Sequence, residues 1–349
     1  MVPDTPGSGA GSDGYSPPPP GGPGDDPTAA GDPNDSPPHS FPWHVSRVTD
    51  RLDAILPFAL VPLLTSLLQV EHVRRAIDPA ASGVSINVEF AFPSPLLDLW
   101  TFADPPAPAV RVGRRAVGGD SLPGDDPFAD PSGPAGTTGS GGADVPVTTP
   151  LDGVGIPIES IGAATGAWVA LAILAYVTIV AVLAAVYVGG LDRRLRGDPA
   201  AIVACAREYA PRFVLYNLVA IGAILLLVPF ALVSPVLLIL ALPAVVVVGY
   251  LFYAVPFLFV VADAPFVEAF RLSYGFAVGE RAYLAFGLWH VGVAVVSSIV
   301  LSLLVSAGGG GFLFALALAV LLSVVLTAAT VSFLRELVDA KAEPGRRQA

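Results

Sequence analysis

The chain has 349 residues, 54% of them hydrophobic, with a mean hydropathy of +0.68 and a formal net charge of −11. A soluble domain does not reach that hydropathy, and a balance of 29 acidic against 18 basic residues argues against nucleic acid, which demands clustered basic side chains. The single cysteine, Cys205, excludes an intrachain disulfide. Lys341 is the only lysine. Acid-rich polar segments nearly free of lysine fit a protein from a salt-loving, GC-rich microbe, in which carboxylates serve hydration rather than a binding site.

Residues 1–46 carry six acids, no Lys or Arg, and Pro and Gly throughout. They cannot bury enough apolar surface to offset chain entropy and read as a disordered tail. The first residues lack a basic n-region and an apolar h-region, so they do not read as a secretory signal peptide. Residues 47–75 hold the first expected span, Leu52–Val70, flanked by Arg47, Arg51, Arg74 and Arg75 and weakened as a regular helix by Pro57 and Pro62.

Residues 76–160 read as an external polar loop. Within it Val84, Ile86, Val88, Phe90 and Phe92 alternate with Ser85, Asn87 and Glu89, a half-buried strand pattern. "LLDLWTFAD" follows, with Trp100 and Phe102 suited to the headgroup level. Residues 104–153 dissolve into Gly, Pro, Asp and Thr.

Residues 161–340 read as a five-helix membrane domain. Ile161–Val188 is uncharged and long enough to tilt. The uncharged stretch 213–262 would be about 75 Å long as one helix, far beyond about 30 Å of hydrocarbon. It must fold back, and "VSP" at Val233–Pro235 is the best breaker, dividing 213–232 from 236–262. Ala282–Val305 and Phe312–Leu334 complete the set across "SAGGGGF". Six spans put both termini on one side. The cluster Arg193, Arg194 and Arg196 assigns that side to the cytoplasm, together with 13 of the 18 basic residues. Residues 341–349 form a cytoplasmic tail.

Two of the expected cytoplasmic loops share a plan. "GDPAAIVACAREYAPRF" opens on Asp198-Pro199, and "ADAPFVEAFRLSYGFAVGERAYL" opens on Asp263-Ala264-Pro265. An Asp at the N-cap with Pro in the first turn starts a helix. Each segment then runs about three turns and ends before an arginine, Arg212 or Arg281. In the second, Phe266, Phe270 and Tyr274 form a stripe, while Glu268 and Arg271 can pair weakly on the opposite side. Both read as amphipathic interfacial helices, so span, Asp-capped helix and span recur as a weak parallel repeat, an arrangement met in some transporters.

Residues 249–289, "GYLFYAVPFLFVVADAPFVEAFRLSYGFAVGERAYLAFGLW", resemble the core of the membrane domain attached to some glycerophosphoryl diester phosphodiesterases. The matching positions are Tyr253, Pro256, Phe257, Asp263, Glu268, Ala269, Arg271 and Ser273. "INVEFAFPSPLLDLWTF" (86–102) is similar to a segment of polytopic membrane proteins of halophilic archaea that share this arrangement. The resemblance covers roughly 85–340 and implies a helical bundle without the catalytic barrel of about 250 residues. No soluble segment here approaches that length, so enzymatic activity does not carry over.

No Asp, Glu, Lys or Arg lies inside the last five spans. A mid-membrane charge costs roughly 2.5–3.5 kcal/mol on insertion scales, which ion-coupled pumps accept for function. His290, in the fifth span, is the one histidine at depth. It reads either as a proton or ligand site or, preferably, as a neutral imidazole that bonds a neighbouring helix or lies near the cytoplasmic interface, about 13 Å along the helix from Arg281. With Asn217 it could belong to a polar path through the bundle. Cys205 reads as a packed small hydrophobe. No HExxH, P-loop or GxSxG occurs, and neither catalytic residues, metal ligands nor a cofactor site are expected.

The expected architecture is an all-α integral membrane bundle of about six transmembrane helices. It carries two interfacial amphipathic helices, a small external segment with β-strand character and a disordered N-terminal tail. Two functions fit. One is a non-enzymatic scaffold or accessory protein in the cell membrane that organises lipids, protein partners or copies of itself. The other is a permease or efflux component for a neutral or apolar solute.

Overall fold

A computed structural model describes residues 38–78, 84–105, 163–233 and 235–346. Five helices are long and apolar enough to cross a membrane, or six if a bent pair at the N-terminal end counts as one span. The chain begins with α1 (Phe41–Thr49), α2 (Leu52–Ile55), a 3-10 turn (Leu56–Ala59), α3 (Leu60–Leu68), α4 (Val70–Ile77) and the short α5 (Leu99–Phe102). The long elements follow: α6 (Ala163–Arg196), α7 (Ile202–Val233), α8 (Pro235–Phe252), α9 (Val255–Val261), α10 (Phe266–Gly279), α11 (Arg281–Ser306) and α12 (Gly309–Arg346).

Helix α12 is the centre. It packs on α1, α3, α6, α9 and α11. Its buried side includes Ala315, Ala319, Ser323, Thr327, Ala328, Ala329 and Thr330. Small residues let helices approach closely where lipid removes any hydrophobic drive to associate. Gly190 does the same on α6: a Cβ there would lie 2.1 Å from Phe58 Cε1, so the ring of the 3-10 turn sits directly on α6 backbone. At the α11–α12 reversal, Gly308 takes φ +83°, the left-handed region that favours glycine.

Arginines mark one face of the bundle. Arg51 bonds the Leu195 carbonyl at the end of α6, and His39 bonds Glu336 near the end of α12. The first described residues and the last turns of α12 therefore lie on the same face. From there α2, the 3-10 turn and α3 carry the chain across. At the far end His72 of α4 packs on Trp100, and Trp100 stacks on Phe312 near the start of α12.

The first span differs from the expected Leu52–Val70. Pro57 falls in the 3-10 turn, the axis bends 78° from α1, and a further break comes at Gln69. Residues 41–46, expected in the disordered tail, are helical, because α1 packs Phe41, His44 and Val48 into the core; residues 1–37 lie outside the described residues. The two interfacial helices are not alike. The 198–212 segment runs unbroken into the span as α7, passing through Pro211, which is exposed, so the carbonyl it leaves without an amide donor can reach water. Only α10 stands apart, with Ala269, Ser273 and Phe276 as its buried face while Tyr274 is exposed. The parallel repeat is thus incomplete.

No strand forms among the described residues. Residues 84–92 are extended and lie against α11 rather than in a sheet. Their alternation is real but faces the other way. Val84, Ile86, Val88 and Phe90 are exposed, at 44–70%, while Ser85, Asn87 and Glu89 are half-buried.

Candidate functional site: an intramembrane cavity

The extended segment descends along α11 on a ladder of serines. Ser306 accepts from the Ser85 amide at 3.1 Å, Ser302 from Asn87 at 3.1 Å, and Ser298 from Glu89 at 3.2 Å. Three hydroxyls four residues apart share one side of the helix. Ser298 also serves the carbonyls of Asn87 and Phe102, at 2.8 and 2.5 Å. Backbone at membrane depth survives only where the protein satisfies it or it lines a cavity.

The segment goes deeper still. Ser323 donates to the Leu97 carbonyl at 2.6 Å and is fully buried. Ser323 lies midway along the apolar run Phe312–Leu334, about 16 Å from either end at 1.5 Å per residue. The chain then turns back through α5. Asp98 caps this turn in a capping box with Thr101, accepting from its amide at 2.9 Å and its hydroxyl at 3.0 Å. Ser66 of α3 accepts from the Leu99 amide at 3.0 Å, and the Ser66 carbonyl accepts from the Trp100 indole at 2.6 Å. Residues 84–103 are therefore a re-entrant hairpin, not an external loop.

A second irregularity faces it. The third long span breaks at Tyr253-Ala254, between α8 and α9. Ser273 donates to the Leu251 carbonyl at 2.7 Å, and the Tyr253 hydroxyl donates to the Tyr283 carbonyl at 3.2 Å. Phe92, low on the re-entrant segment, stacks parallel to Tyr253 with centroids 6.1 Å apart, and Tyr253 stacks on Tyr283 at 4.4 Å. Pro256 and these side-chain bonds account for the break.

Between the two lies a cavity of about 1020 Å³, at the upper end of the 300–1,000 Å³ range of small-molecule sites. Residues 92–96 and Asp98, Thr65 and Gln69 form one wall; α6, α7 and the α8–α9 break form the rest. Tyr176, Ile179 and Val248 line it while remaining 68%, 58% and 54% exposed. The cavity thus opens sideways, between α6 and α8, toward lipid.

Asn217 lines this cavity, with its amide donating to the Phe213 carbonyl at 2.9 Å. His290 does not line it. It is 1% exposed on α11, and neither ring nitrogen has a hydrogen-bond partner among the described residues. The expected bond to a neighbouring helix is absent there, and the two residues do not form one path.

The expected caps are also different. Asp263 is no N-cap: Pro265 precedes α10, and Asp263, at φ +47°, pairs with Arg212 at 2.7 Å. Arg212 also bonds the carbonyls of Phe259 and Ala264, pinning α7 to the α9–α10 turn. Asp198 lies 4.0 Å from Arg196 instead of capping a helix. Glu268 and Arg271 are exposed and form no ion pair with another described residue. Unforeseen is Asp192, 1% exposed side chain on α6, which accepts from Arg196 and from Arg335 Nε, the latter at 3.1 Å. No group of His, Cys, Asp or Glu suited to a metal occurs among the described residues.

The residue missed in the sequence is Asp98. It is the only carboxylate among the described residues of the cavity lining. The spacing Asp98-x-x-Thr101 just before an aromatic pair is a visible helix-start signal, but nothing local says that the start lies inside the membrane. No family model matches the chain, and no curated protein or solved structure is significantly similar to it. The functional reading therefore rests on geometry.

Proposed function

We propose that the protein is a permease or efflux component that admits an apolar or amphipathic solute from the bilayer, without enzymatic chemistry. The observation that carries this reading is the meeting of a re-entrant segment and a broken span at one laterally open cavity. Discontinuous spans with backbone bonded by side chains are a recurrent way to build a transport site near mid-membrane. A scaffold requires neither feature. By the arginine bias, the face carrying Arg193, Arg194 and Arg196 is cytoplasmic, and both ends of the described chain lie there.

The test is gentle extraction at high salt, then native mass spectrometry of the wild type and of Val180→Trp, which projects an indole into the cavity from a half-exposed position on α6. A lipid or small solute bound to the wild type and lost in the variant is the expected result. A stoichiometric protein partner, with no solute responding to Val180→Trp, would restore the scaffold reading.

A further inference from the structure

We infer that the cavity selects lipophilic organic cations, with Asp98 as the charge-reading residue. This rests on the permease reading above and names its substrate class.

Asp98 is half-buried and lines the cavity. A carboxylate offers about four acceptor positions on its two oxygens. At Oδ1, the Thr101 amide and hydroxyl take two; at Oδ2, the Gln69 amide takes one at 2.9 Å. Among the described residues nothing takes the remaining position on Oδ2. Among the described residues no cationic side chain pairs with Asp98. The neighbouring basic groups of α4 are turned elsewhere: His72 lies 3.9 Å from Asp104, and Arg75 lies 3.8 Å from Glu71.

The rest of the lining supplies what an organic cation needs. It includes the rings of Phe92, Tyr176, Tyr216 and Phe252, and aromatic faces attract cations, more strongly when desolvated. Among the described residues the lining holds no Lys, Arg or His. An anionic solute would meet a carboxylate in a medium of low dielectric and be rejected. A neutral solute would gain nothing from the charge. A cation with an apolar body can enter sideways between α6 and α8, place that body among the rings and direct its charge toward Asp98.

The experiment uses two probes of one shape and opposite sign, tetraphenylphosphonium and tetraphenylborate. Their equilibrium binding is measured on the full chain in nanodiscs of uncharged lipid. The phosphonium should bind at least tenfold tighter than the borate. Asp98→Asn, which keeps a good helix cap, should abolish that preference while leaving the unfolding midpoint near the wild-type value. Asp98→Glu should retain it. Val180→Trp should weaken both probes.

Equal binding of the two ions, or a preference that survives Asp98→Asn, overturns the charge inference; the cavity reading stands if Val180→Trp still blocks binding. Binding that ignores Val180→Trp overturns both. If Asp98→Asn fails to fold, the Glu variant decides: loss of preference with charge retained would refute the assignment.

Discussion

Replacing Ser323 by alanine should destabilise the protein by about 1–3 kcal/mol, the cost of leaving a buried polar group without its partner. The hydroxyl is fully buried and donates to the Leu97 carbonyl at 2.6 Å, midway along α12, so water is not available to take its place. At 1.4 kcal/mol per tenfold, the folded-to-unfolded ratio should fall roughly 5- to 150-fold. The assay is reversible denaturant unfolding in mixed micelles. The control is Thr178→Ala, whose hydroxyl bonds only its own helix, to the Leu174 carbonyl at 2.8 Å, on an exposed face of α6; it should change stability by less than about 0.5 kcal/mol. Equal, small effects of the two variants would mean that the Leu97 carbonyl is not held at mid-span, and the re-entrant hairpin would be refuted with it.

Asp192→Asn should cost about 3 kcal/mol, the lower end for breaking a buried pair, because Arg335 is partly exposed; Asp192→Leu with Arg335→Met should recover most of the loss, read in the same unfolding assay. Gly190→Ala should cost about 1–3 kcal/mol through its clash with Phe58, and a double-mutant cycle with Phe58→Ala should show clear non-additivity. Burial holds the His72 imidazole below its ordinary value of 6.5, with Arg75 adding to the shift. The neutral form is therefore the one the fold accommodates. Stability from this site is complete above pH 6.5 and falls as the pH drops toward the lowered value; His72→Gln should flatten that part of the profile in pH-dependent unfolding.

Much of the helical plan was legible. Uncharged runs longer than a bilayer, the Val233–Pro235 breaker and the glycines before Phe312 are signals of length and local chemistry, and the helices begin and end close to them. Asn217 was singled out for a possible polar path, and it lines the cavity. His290 was singled out for the same reason, but it lies outside the cavity. Asp198 and Asp263 looked like caps because Asp followed by Pro is a helix-start signal; Asp263 is taken instead by Arg212, and Asp198 lies outside α7, which starts at Ile202.

What the sequence by itself determined is which long segments prefer lipid and that the stretch 213–262 must fold back near Val233–Pro235, because transfer free energy and helix length are set within a segment. What only the tertiary structure decided is the depth of residues 84–103. Alternating apolar and polar residues look the same on a sheet edge in water as on a serine-lined helix in lipid. The choice depends on Ser66, Ser298, Ser302, Ser306 and Ser323, which come from three different helices and converge only in the folded bundle. That convergence carries Asp98 into the bundle, against the cavity.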